Sequence, residues 1–109
     1  MRETVWRGAS GTAYRFAAYP LGGADWISAP GVFIFATMPS SDTHMPEAHF
    51  VGVADDLSAA LPGHPALDGA RQKGAVEVHI TTIGEARARE EVRADLAARY
   101  LPLSQKPHD

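Results

Sequence analysis

The run HMPEAH sets His44, Glu47 and His49 close together, two imidazoles and a carboxylate that as a set could hold zinc. Pro46 lies inside the run, and the histidines lack the spacing of a helical zinc motif. The run therefore reads as a polar loop, and no metal site is expected. Farther along, Arg89, Arg93 and Lys106, with Arg99 nearby, could form a basic strip for a phosphate or an acidic partner. The plainer account is a solvated helix face on which Glu85 pairs with Arg89 at i,i+4. Arg89 and Arg93 are also four apart and repel unless an anion sits between them. Phe33 and Phe50 suggest a third chemistry, a platform on which a nucleobase stacks. Strand aromatics more often pack a core, and that is the expected role. His64, after Pro62-Gly63, reads as a helix cap. His79, between Val78 and Ile80, is expected on the solvent side of a strand. The chain has no cysteine, which excludes disulfides, cysteine-bound zinc and a thiol nucleophile.

These residues need elements to position them. Thr12 to Tyr19 alternates Tyr14 and Phe16 around Arg15 and predicts a strand, broken by Pro20 to Gly23. Val32 to Ala36, between Pro30-Gly31 and Pro39, is a short apolar run that predicts a buried strand. Pro39 to Ala48 is a polar connection, and His49 to Val53 predicts the second strand of a long-looped hairpin. Asp55 and Asp56 supply an N-cap for a short helix that Pro62-Gly63 ends. His64-Pro65 opens another helix and Gly74 closes it. Ala75 to Ile80 sets Val76, Val78 and Ile80 against Glu77 and His79, the alternation of a half-buried strand. Thr82 and Glu85 predict a capping box for the longest helix. Its Ala88, Val92, Leu96 and Tyr100 form one apolar stripe, and Pro102 stops it. The expected fold is α+β, helices on a small and mostly antiparallel sheet with a frayed C-terminal tail.

The chain of 109 residues is expected to be one domain, with its core between about residues 12 and 105. A hydrophobic share of 45% and a charged share of 21% suffice for a modest core and exclude a disordered chain. The formal net charge of -3 argues against a general nucleic-acid binder, which carries a basic excess. No apolar leader segment is visible, and the longest apolar stretch, Gly31 to Met38, is too short to span a bilayer. A cytoplasmic protein without membrane contact is the expectation.

The ordered set PGVFIF, HFVGVADDL, the helix from His64 to Gly74, AVEVHI and VRADLAARYLP resembles the GIY-YIG endonuclease superfamily. It is most similar to small bacterial single-domain members, over Tyr14 to about Gln105. The two name motifs correspond to Gly31-Val32-Phe33 and Phe50-Val51-Gly52, and the strand at Thr12 to Tyr19 is an N-terminal addition. His64, Asp68, Gly74 and His79 fall where those members carry the same residues. The resemblance implies a metal-dependent phosphodiesterase, but its chemical positions are altered one by one. The tyrosine that helps deprotonate water corresponds to Phe33, and the second motif's tyrosine to Phe50. The arginine that stabilises the phosphate charge corresponds to Ala60. The glutamate that holds the divalent ion corresponds to Arg93, and the closing asparagine to Gln105.

Without that carboxylate a hard cation loses its anionic ligand, and Arg93 puts positive charge in its place. Ion, activated water and charge clamp are all affected. The expectation is an inactive relative that binds through the former active-site face, with Phe33, Phe50, His64, Arg89 and Arg93 as binding candidates. It needs no cofactor, and a protein partner is favoured over nucleic acid. The alternatives are an active endonuclease using Mg²⁺ or Mn²⁺, with Glu90 as substitute ligand, and a non-catalytic nucleic-acid binder.

Overall fold

The computed structural model describes residues 2–38 and 46–101, so the expectations for His44, Pro102, Gln105 and Lys106 lie outside the described residues. The described residues form an α+β fold of five strands and three helices: β1 Arg2–Arg7, β2 Ala13–Pro20, β3 Gly31–Ala36, β4 Ala48–Ala54, α1 Leu57–Ala60, α2 Leu67–Gln72, β5 Glu77–Thr82 and α3 Ala86–Tyr100. The sheet order is β1-β2-β5-β3-β4, and every neighbouring pair is antiparallel.

Alternation along β3 builds a core on each side of this sheet. Phe33 and Phe35 point to one face, where Leu57, Leu61 and Ala70 of the two short helices meet Val78 and Ile80. Val32, Ile34 and Ala36 point to the other, where Leu96 of α3 meets Trp6, Phe16 and Val51. Val92 and Tyr100 pack against this second core, so the apolar stripe of the long helix does face the sheet. Asp56 caps α1 as the sequence suggests, its carboxylate accepting from the Ser58 N–H at 3.0 Å.

Three features differ from the sequence reading. The first is β1, which lies before residue 12 and pairs with β2 along its whole length. Its Trp6 is fully buried, so the core begins earlier than expected. One large apolar residue among charged ones leaves little periodic signal.

The second is the start of α3. Thr82 is still in β5, paired with Gly31, and does not cap the helix. Glu85 occupies the N-cap position without a side-chain cap bond, because Ile83 and Gly84 are spent on the turn.

The third is β5, which is central rather than half-exposed. It lies between β2 and β3, and its residues Glu77 to Ile80 are all buried.

Candidate functional site

The two strand motifs that suggest a nuclease owe their glycines to packing. A Cβ on Gly31 would lie 2.5 Å from the Thr81 carbonyl oxygen and 3.0 Å from Leu57 Cδ1. On Gly52 it would lie 2.5 Å from Phe33 Cζ and 2.7 Å from Phe50 Cε2. The first glycine admits the neighbouring strand and α1. The second lets two phenyl rings lie across the sheet.

Those rings form a cluster with Phe35 and His64. The His64 ring is 5.3 Å from Phe33, 5.8 Å from Phe35 and 5.2 Å from Phe50, centroid to centroid. Phe33 is fully buried, so it supports the cluster and offers no face to a ligand. Phe50 and His64 are half-buried and reach the surface. Ala60 packs against the same core, placing a methyl group where the resemblance puts a charge clamp.

His64 is held by its own backbone, with Nδ1 accepting from the Ala66 N–H at 3.0 Å. The neutral ring therefore carries its proton on Nε2. Burial lowers the pKa below the ordinary histidine value, which keeps the ring uncharged at neutral pH. Beside it opens a cleft of about 380 Å³ with an apolar floor of Phe35, Leu61 and Val78. Asp25, Asp68, Arg71 and His64 supply its polar lining. Two carboxylates against one guanidinium leave that lining net negative.

The helix carrying Arg93 is not part of this cleft. α3 packs on the opposite face of the sheet, so Phe33, Phe50 and Ala60 are on one side and α3 on the other. Arg93 donates from Nε to Glu90 Oε2 at 2.8 Å, and this bond to Arg93 holds the Glu90 carboxyl below its usual range. Glu90, the substitute metal ligand, is thus engaged by the cation next to it. No group of three or more histidines and carboxylates among the described residues is arranged to hold a metal ion.

Arg89 does not join a basic strip, nor does it pair with Glu85. It is 6% exposed, and its Nη1 donates to the carbonyls of Ile83 at 3.1 Å and Gly84 at 3.0 Å. Its Nη2 donates to Asp55 Oδ1 at 2.6 Å. The turn before α3 leaves carbonyls without helical partners, and a planar guanidinium is suited to bridge them to the end of β4.

His79 is likewise not on the solvent side. It is fully buried, accepting from Trp6 Nε1 at its Nδ1 (2.9 Å) and donating from Nε2 to Glu77 Oε1 (2.9 Å). Glu77 in turn accepts two bonds from the Arg2 guanidinium, at 2.9 and 3.2 Å. Sequence reasoning missed this chain of four because it needs β1, which places Trp6 over the polar face of β5. The available signal was the shared face of Glu77 and His79, which requires a polar partner once it is covered.

Comparison with family models, with curated proteins and with solved structures finds no match to this chain.

Proposed function

We propose that the chain is a non-catalytic binding module whose partner is a protein, engaged by the cleft beside Phe50 and His64. The observation that carries this reading is the lining of that cleft. An apolar floor under Asp25, Asp68 and Arg71 suits a protruding segment with apolar and basic side chains. A phosphate chain would meet net negative charge there instead. The positions that the GIY-YIG resemblance assigns to chemistry hold Phe33, Phe50, Ala60, Arg93 and Gln105, with neither a carboxylate nor a phenol among them. This supports a scaffold used for binding.

A pull-down of the tagged protein from its own cells at near-physiological salt tests the reading, with an Asp25→Lys/Asp68→Lys variant alongside. The expected result is a stoichiometric protein partner that the double variant fails to hold. Nicking of DNA that requires Mg²⁺ or Mn²⁺ and is abolished by Glu90→Ala would instead establish an endonuclease. Recovery of nucleic acid alone, with affinity falling steeply as salt rises, would establish a nucleic-acid binder.

A further inference from the structure

The sheet has two edges that differ in finish. At one edge β4 carries a register irregularity opposite Phe35 and Ala36, and α3 packs beside it. Such features blunt an edge. At the other edge β1 is regular over its whole pairing with β2, and among the described residues no strand pairs with its outer side. Its backbone donors and acceptors on that side form a template for one more strand.

We propose that this strand is β1 of a second copy, so that two chains pair antiparallel about a two-fold axis through Val5. Side chains along β1 decide the register. Glu3, Val5 and Arg7 are exposed on one face, while Trp6 is buried on the other. Cross-strand neighbours must share a face, so a self-pairing can only match odd positions with odd and even with even. Centred on Val5, the pairing sets Val5 against Val5 and Glu3 against Arg7 of the second copy, twice by symmetry. Centred on Thr4 it would put Glu3 against Val5, and centred on Trp6 it would put Val5 against Arg7. Each of those leaves a charge opposite an apolar side chain. The charges that discourage indiscriminate edge pairing are complementary in this one register.

The contacts these side chains now make do not compete strongly. Arg15 donates to Glu3 at 3.3 Å with both side chains exposed, and Arg7 donates to the Gly11 carbonyl at 3.0 Å at the surface. Exposed pairs of this kind are weak and exchange readily. Val5 is 44% exposed on the free chain and is covered by its symmetry mate in the pair.

Sedimentation equilibrium of the full chain tests the interface. The expected mass is that of two chains, and Val5→Lys, which sets two ammonium groups face to face, weakens dimerisation by roughly tenfold or more. Glu3→Arg and Arg7→Glu are each monomeric alone, because like charges oppose at both ends. Mixed together they form a heterodimer, since each variant then meets its opposite charge. Circular dichroism confirms that every variant is folded. A wild-type chain that stays monomeric at all concentrations overturns the proposal, as does a dimer indifferent to all three substitutions.

Discussion

Trp6 can only donate from its indole nitrogen, so its bond to His79 Nδ1 dictates which imidazole nitrogen keeps the proton. The proton stays on Nε2, aimed at Glu77, and the charge on Glu77 is met by Arg2. A second proton on His79 would set one N–H against another. Desolvation accordingly lowers the His79 pKa, against the opposing pull of Glu77. For Glu77, desolvation pushes the pKa up, but the hydrogen bonds from Arg2 and His79 outweigh it and the net shift is downward. The signs agree. A histidine whose folded pKa lies below its ordinary 6.5 contributes stability that is fully present above 6.5 and is lost as pH falls below it. His64 shifts the same way. Glu77 adds a further loss in stronger acid, below its ordinary 4.5. Urea midpoints should therefore decline between about pH 7 and about pH 5, and His79→Gln should flatten that decline. At constant pH, Trp6→Phe leaves a buried ring nitrogen without its donor and should cost about 1–3 kcal/mol in denaturant unfolding. Trp26→Phe, at an exposed site, should change stability by no more than about 0.5 kcal/mol.

Between elements, the contacts that matter are those that fix one secondary structure against another. Gly52 lies beneath two phenyl rings in β4, and a methyl group there cannot enter without moving Phe33. Gly52→Ala should destabilise by about 1–3 kcal/mol, as overpacking usually does. Its near-ultraviolet circular dichroism should change as the rings shift. Arg89 ties the end of β4 to the turn before α3, and Arg89→Met should cost about 1–3 kcal/mol, because it removes a buried guanidinium and three of its hydrogen bonds at once. Arg93→Ala, which loses a partly exposed pair with Glu90, should cost less than about 1 kcal/mol. Thermal unfolding of the two variants side by side checks the contrast. In the sequence these two arginines look alike, four apart on one helix, and nothing local separates them. Their difference arises because α3 is laid down with residue 89 buried beside the end of β4 and residue 93 half-buried against Glu90. The strands at Val32 to Ala36 and His49 to Val53 and the cap at Asp56 were legible because period, flanking prolines and cap chemistry are local signals. The burial of His79 was not, because it depends on a strand that pairs from the far end of the chain. The cleft was legible only in part: His64 is visible as a candidate, whereas Asp25 and Arg71 are brought to it by tertiary packing.

At the scale of the molecule, the first strand forms one edge of the sheet and fills the core under α3. Trp6 belongs to the core beneath α3, so removing residues 1–7 should abolish the cooperative unfolding transition. A core confined to residues 12 onward would instead let the truncated chain fold, and the thermal melt of that truncation decides between them. The sheet order carries one more consequence, for the time course of folding. β1 and β2 can pair as soon as both exist, but the partner of Trp6 lies 73 residues later in the chain. A ribosome releasing this protein exposes a bare indole on a two-stranded ribbon until β5 has emerged and inserted between β2 and β3. Isolated ribbons of that kind have little stability of their own. Closure of so long a loop is slow compared with helix formation, which places refolding in the range of roughly milliseconds to seconds. The first strand therefore remains available to chaperones, and to aggregation, until β5 has been made.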